Sequence, residues 1–306
     1  MKIFVLAPRE DWICDRQAQE WNTANPSTYT DSPLNADVIW LLAGWCWNQI
    51  PSQILSSKKV VLTVHHVVPE KFGPEKISEF KYRDNFIDAY HVPNKTTHDH
   101  IKNYTKKPIF IIPFWFDSSV WNQIDKKSSR KELEIREDEF IIGSFQRDTE
   151  GNSGLPKLEK GPDLFCDLMQ KIKNEAIIQK PRVLLGGWRR SYVIERLNRI
   201  GMNYTYLELV PISVIKKMYA SCDLYVVSSR YEGGPQAILE ASAMKVPIIS
   251  RDVGIAKSIL SPNCIMDIPV EFSIPTLEDV EKNYESVLKH EIHNLKSKFI
   301  EMFEAV

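Results

Sequence analysis

Residues 228–254 read SSRYEGGPQAILEASAMKVPIISRDVG. An apolar, β-branched run at 224–227 precedes the stretch, and a second run at 248–250 lies within it. Between the runs, Gly233 and Gly234 lack the Cβ that restricts other residues, so the backbone there can approach a neighbour closely. Pro235 suits the first position of a helix, and 237–244 is rich in helix formers. The order is strand, glycine loop, helix, strand. Two continuously apolar strands joined by a helix predict a βαβ unit in a parallel sheet buried on both faces.

The same alternation extends outward. Short apolar runs recur at 2–6, 38–42, 60–64, 109–112, 140–144 and 183–185, with amphipathic segments such as 162–173 and 212–220 between them. This is the signature of an α/β chain with parallel sheets. The pattern breaks at 122–136, NQIDKKSSRKELEIR, which is polar, holds no strand and reads as a linker with a short helix. With 306 residues the chain has room for two domains. The expected division is a Rossmann-like domain at 1–121, a linker at 122–137, a second Rossmann-like domain at 138–275 and a closing helix at 276–306. In that last segment Val280, Tyr284, Val287, Leu288, Ile292, Leu295, Phe299 and Phe303 fall on one helical stripe. Open parallel sheets bind ligands at the carboxyl ends of their strands, so the chemistry is expected in the loops that follow strands.

Composition excludes several classes. The net charge is −1, and residues 1–121 balance 13 Lys+Arg against 13 Asp+Glu, so no basic face for nucleic acid is expected. Five cysteines, Cys14, Cys46, Cys166, Cys222 and Cys264, are scattered without a CxxC pair, which suits reduced thiols. The apolar run at 3–7 is short for a signal peptide and is followed by Arg9, Glu10 and Asp11. No stretch approaches the roughly 20 apolar residues of a membrane span. The expectation is a cytoplasmic protein.

Taken whole, 228–254 resembles the donor-site signature of glycosyltransferase family 4, the retaining GT-B enzymes also called glycosyl transferases group 1. Glu232 and Glu240 flank the Gly-Gly-Pro turn at the family's spacing. The resemblance implies a GT-B architecture, two Rossmann-like parallel-sheet domains facing a central cleft, with the donor in the C-terminal one. It assigns Glu232 to donor-sugar hydroxyls and Glu240 to ribose hydroxyls, with Gly233, Gly234 and Pro235 turning against the donor. A helix N-terminus suits a diphosphate, and helical side chains tilt toward it, so Glu240 can reach a neighbouring ribose. Upstream, Phe145-Gln146-Arg147 and Lys160-Gly161-Pro162 resemble the family's Arg…Lys-Gly pattern. By that resemblance Arg147 and Lys160 contact the diphosphate. Fixed cations there stabilise the charge that develops on the leaving group and can replace a metal ion. No Asp-x-Asp is present, so no metal and no cofactor is expected beyond a UDP- or GDP-sugar as donor substrate. The loop 148–159, with Gly151 and Gly154, is expected to order over the donor. Gly187 follows the run at 183–185, and Tyr206–Pro211, including Val210, is expected to line the nucleobase pocket.

In the first half, Thr63-Val64-His65 resembles the family's strand followed by Thr-x-His. His65 is then expected to face the donor sugar, with His66 the competing choice. Phe114 and Trp115 stand where the family usually has Asn-Gly. Ala7-Pro8-Arg9-Glu10-Asp11 replaces the usual glycine-rich loop, and Lys245 replaces a common glycine at a helix end. Five of the eight tryptophans fall in the first 47 residues, where they suit either the core or a loop that stacks on a sugar acceptor or a lipid interface.

The function implied is retaining, metal-independent transfer of a hexose from a nucleoside-diphosphate sugar to a hydroxyl of a glycan, lipid or small molecule. No nucleic-acid partner is expected; peripheral membrane contact is compatible. Two alternatives stay open: a degenerate GT-B module that binds nucleotide sugar or partners without turnover, and a GT-B epimerase.

Overall fold

A computed structural model describes residues 1–151 and 153–306. The chain forms two units, residues 1–117 with 290–306, and residues 118–289.

In the first unit, β1 (Ile3–Leu6), β2 (Val38–Leu41), β3 (Lys59–Thr63), β4 (Ala89–Val92) and β5 (Ile109–Ile111) form a parallel sheet in that spatial order. Outside β1 lies one further rung. Ile3 donates to Thr28 O at 2.7 Å, and Thr30 donates back to Ile3 O at 3.2 Å. The chain therefore steps outward from β1 and returns across it to β2. The strand order reverses at that point, as in flavodoxin-like sheets. Right-handed crossovers then place the helix Ile13–Ala24 on one face and Ser52–Leu55, Pro74–Asp84 and Lys95–Ile101 on the other. The buried clusters agree: Leu55, Phe80 and Ile101 pack with Ile39, Leu62 and Tyr90, whereas Trp21 packs with Val38, Trp40 and Val61.

One helix cannot cover five strands. The remainder of that face is closed by the helix Ile292–Glu304, whose Leu295, Phe299 and Phe303 meet Trp21, Trp40 and Trp115. The segment expected as a single helix at 276–306 is instead two, Leu277–Val287 and Ile292–Glu304, joined by a 3-10 turn. Its apolar stripe is divided: Val280 and Val287 are buried in the second unit, which also holds Tyr284 and Leu288, whereas Ile292, Leu295, Phe299 and Phe303 are buried in the first.

Three polar side chains cross the interior of the first sheet. Trp40 Nε1–H donates to Thr63 Oγ1 at 2.8 Å, and Thr63 Oγ1 lies 2.9 Å from His91 Nδ1. His91 Nε2 lies 2.8 Å from Ile112 O, a carbonyl that can only accept, so Nε2 carries the proton and Nδ1 accepts. Burial holds this imidazole neutral, its pKa lowered to about 3.

In the second unit, β6 (Phe140–Phe145), β7 (Pro181–Gly186), β8 (Tyr204–Leu207), β9 (Leu224–Val227) and β10 (Ile248–Ser250) pair in parallel in the order β10-β9-β6-β7-β8. This is a doubly wound sheet whose order reverses between β6 and β9. Within the polar stretch 122–137, expected as a linker with a short helix, the helix is Lys126–Glu132, and it belongs to the second unit. Arg130 is 5% exposed and Lys126 stands beside it, and both pair with Asp223, at 2.5 and 2.6 Å. A charged segment is packed here because its cations find a carboxylate and carbonyls. Lys245, where a glycine is usual, adopts φ 54, pairs with Glu281 at 2.6 Å and lies 4.5 Å from the Tyr284 ring centre.

Candidate functional site

The reversal between β6 and β9 opens the sheet at the carboxyl ends of those two strands. The loops that follow them carry the candidate residues. β6 runs out into Gln146, Arg147 and a long excursion to Lys160, and β9 runs out into Ser228–Gly234.

The two loops are zipped together. Arg230 N and Tyr231 N both donate to Glu159 O, at 2.9 and 3.2 Å. The Arg230 guanidinium grips Asp163 through two bonds of 2.7 and 2.5 Å. Gly161 makes the close approach possible. Its φ is +60°, and a Cβ there would stand 2.0 Å from Ser228 O, so no other residue fits. Lys160 O accepts from Gln146 Nε2 at 3.1 Å and from Ser228 Oγ at 3.3 Å. The backbone of Lys160 is thus fixed from both strand ends.

The side chains then meet. Lys160 Nζ lies 2.5 Å from Glu232 Oε1, and Ser229 Oγ donates to the same oxygen at 3.1 Å. Arg147 and Lys157 stand near enough to act on one another's charge. Burial lowers the Lys157 pKa, and Arg147 lowers it further; Glu159, 3.6 Å away, opposes the shift. Lys157 is a third cation that sequence reasoning did not single out, since it looks like one more lysine in a polar loop.

The loop 148–159, expected to order over a ligand, is paired with itself. Lys157 N donates to Asp148 O and Glu150 N to Leu155 O, both at 2.8 Å, around a Thr149–Pro156 bridge. Asn152 in this loop lies outside the described residues. Gly187 has φ +91°, and a Cβ there would stand 2.8 Å from Gln146 O, so the glycine lets the end of β7 close on the end of β6.

Glu240 lies in the helix Gln236–Ala243 and is only 5% exposed. Pro235 precedes that helix as its cap residue instead of occupying the expected first turn. Burial and the adjoining Glu240 carboxylate push the Tyr219 hydroxyl well above the usual phenol range, with hydrogen bonds to Glu240 and Tyr225. Tyr225 in turn accepts from Phe145 N at 2.8 Å. The Tyr219 side chain therefore supports Glu240 from below. Val210 is half-buried beside Leu209, which is exposed and has φ 49.

His65 belongs to the first unit. It follows β3, stacks on Phe114 at 5.1 Å between ring centres, and its Nε2–H donates to Leu42 O at 2.7 Å, which sets the tautomer. Trp45, after β2, is 57% exposed and 6.3 Å from His65. Trp21 and Trp40 are core residues instead. Of the candidates, the structure joins Lys160 directly to Glu232 and gathers Arg147, Gly187, Val210, Gly233, Gly234, Pro235 and Glu240 in the same unit.

Among the described residues no group of three or more His, Cys, Asp or Glu side chains is placed to hold a metal ion. Among them, too, no helix is long and apolar enough to cross a membrane.

Residues 153–267, which begin after Arg147 and include Lys160 and Ser228–Gly234, match the family model of glycosyl transferases group 1. Over this segment the match agrees with the resemblance to glycosyl transferases group 1. An alpha-galactosylglucosyldiacylglycerol synthase of Streptococcus pneumoniae is 23% identical over 163 residues, 52% of this chain and 41% of that protein. The chain thus spans about two fifths of that relative's length. Among solved structures, Anabaena HepE in complex with UDP and glucose superposes with a TM-score of 0.71 at 16% identity, over 95% of this chain and 81% of that one. Sucrose-phosphate synthase from Thermosynechococcus elongatus gives 0.67 at 14% identity, over 98% and 80%. The fold, two five-stranded parallel sheets, is that of GT-B glycosyltransferases.

Proposed function

We propose that this chain is a family 4 glycosyltransferase that moves a hexose from a UDP- or GDP-sugar to an acceptor hydroxyl, with retention and without a metal ion. The observation that carries the reading is the meeting of Lys160 and Glu232 at the strand reversal of the second unit, with Arg147 and Lys157 alongside. Cations suited to a diphosphate and a carboxylate suited to sugar hydroxyls support this reading by their proximity. The family match over 153–267 and the HepE complex with UDP and glucose support it.

In the proposed reaction the bond from C1 of the sugar to the diphosphate oxygen breaks, and a bond from C1 to the acceptor oxygen forms on the same face. The acceptor proton passes to the departing phosphate oxygen, so no separate base is required. Arg147, Lys160 and Lys157 hold the charge that accumulates on that diphosphate. Gly233, Gly234 and the helix Gln236–Ala243 bring backbone toward it. Glu240, held by Tyr219, takes the ribose, Glu232 takes the sugar, and Gly187 and Val210 border the base. We assign His65 to the donor sugar on the family resemblance. The synthase relative suggests a glycolipid acceptor, and the exposed Trp45 ring offers a flat apolar face for a sugar acceptor.

The test is turnover. The protein is incubated with UDP-glucose, UDP-galactose or GDP-mannose and vesicles bearing a glucosyl lipid, and product is read by mass spectrometry and anomeric NMR. The expected result is an α-linked product, lost in Glu232→Ala while nucleotide binding persists. Full activity in Glu232→Ala contradicts the assignment.

A further inference from the structure

This inference rests on the reading of the second unit as a nucleoside-diphosphate-sugar site, with Gly187 and Val210 bordering the base. We infer that Glu208, aimed by Tyr206, selects guanine at that border, so that the donor is a GDP-sugar.

Tyr206 lies near the end of β8, and Glu208 follows the strand directly. Two residues apart on an extended chain, the two side chains share one side. The Tyr206 hydroxyl lies 2.8 Å from Glu208 Oε1 and 3.0 Å from Gly187 O, just past the end of β7. Burial and the hydrogen bond to Glu208 raise the phenol pKa, so the hydroxyl keeps its proton. A carbonyl and a carboxylate only accept, and a phenol carries a single proton. Two acceptors therefore share one donor at this corner. Glu208 is otherwise exposed, which leaves room at its carboxylate for the donors of a ligand. The backbone bends on both sides of the corner. Arg189 has φ 57 and Leu209 φ 49, left-handed values that are costly outside glycine and that cluster where ligands are held.

With the diphosphate between the ends of β6 and β9, the base lies over the neighbouring strand ends, and Gly187 and Val210 follow β7 and β8. A base that suits the corner brings donors. On its Watson–Crick edge guanine presents two adjacent ones, N1–H and N2–H, which match the two oxygens of one carboxylate. Paired bonds to an ionised acceptor are the strong and geometrically specific ones. Uracil presents a single donor, N3–H, between two carbonyl oxygens, so a carboxylate that accepts from it also meets a second acceptor. Adenine presents one donor beside an acceptor nitrogen. When guanine donates to Glu208, the Tyr206 proton is left to Gly187 O, and each acceptor is served.

The test is calorimetric titration of the full chain with GDP, UDP and inosine diphosphate, which is GDP without the N2 amino group. Wild type should bind GDP about tenfold or more tightly than either of the others, the scale of one hydrogen bond to a charged group. Glu208→Gln keeps the side-chain shape and offers one donor and one acceptor. In this variant GDP and inosine diphosphate should bind alike, and UDP should bind more tightly than to wild type. Melting of the ligand-free variant confirms that it is folded, and the comparison of GDP with inosine diphosphate on wild type needs no variant. A wild type that binds UDP or inosine diphosphate as tightly as GDP, or a gap between GDP and inosine diphosphate that persists in Glu208→Gln, overturns this inference alone. A wild type that binds none of the three overturns it together with the functional reading.

Discussion

Arg190 Nε lies 2.8 Å from Asp148 Oδ2, and both side chains are 0% exposed. The same guanidinium donates to Ser144 O at 2.5 Å and to Gly186 O at 2.7 Å, so one buried cation ties the end of β6 to the end of β7. Arg147 and Gly187 are the residues next to these anchors. Removing one partner of such a pair strands the other charge. Arg190→Met should cost about 3–5 kcal/mol in urea denaturation. The double change Asp148→Leu with Arg190→Met should recover most of that stability without recovering nucleotide binding, since the strand ends are no longer tied. Recovery of both would mean that the pair has no part in shaping the site.

Tyr219 reaches Glu240 from beneath. Tyr219→Phe keeps the buried ring and deletes the hydroxyl. A buried carboxylate that loses a donor costs about 1–3 kcal/mol. Donor KM should rise about tenfold with little change in kcat, because Glu240 is assigned to the ribose and not to the reacting bond. A steady-state assay with varied donor separates the two constants.

Gly161→Ala combines a left-handed backbone with a Cβ 2.0 Å from Ser228 O. The strain alone is about 1–3 kcal/mol. Relief requires the Lys160 loop to lift from β9, so nucleotide-induced stabilisation should fall by more than the melting point does. Gly73→Ala, where nothing lies within 4 Å, is the control and should leave nucleotide binding unchanged.

His91 is neutral in the fold, with its pKa lowered to about 3 from 6.5. Between those values the unfolded chain binds a proton that the folded chain does not. Its contribution to stability is therefore present above pH 6.5 and is lost as pH falls toward 3, at about 1.4 kcal/mol per pH unit. An NMR titration should show the His91 imidazole unchanged between pH 7 and roughly 4, while acid denaturation grows steeper below neutrality.

The features written locally in the chain were legible from it. Glu232, Gly233, Gly234, Pro235 and Glu240 sit in one strand–turn–helix, where apolar runs and turn chemistry suffice. Lys160 announces itself by the glycine that follows. Arg190 was not legible: Arg189-Arg190 looks like a surface pair, and its burial depends on Asp148, far away in the sequence. The rung at Tyr29 was hidden because a single bridge has no periodicity, yet it decides which face of the first sheet each helix covers. The closing segment showed that a face is buried, but not that its stripe serves two different cores, since the stripe runs unbroken across the turn at Leu288–His290. The short helix in the linker was legible, but its packing was not, because Arg130 and Lys126 find Asp223 far away in the sequence.

The central claim is that the strand reversal of the second unit binds a nucleoside diphosphate. The most direct measurement is the melting temperature of wild type and Glu240→Ala with UDP, GDP, ADP and dTDP. A ligand at 100 times its dissociation constant adds about 2.7 kcal/mol of stability. The account predicts that UDP or GDP raises the melting point of the wild type and that Glu240→Ala loses most of the rise. Absence of stabilisation by all four, or an equal rise in the variant, would contradict it.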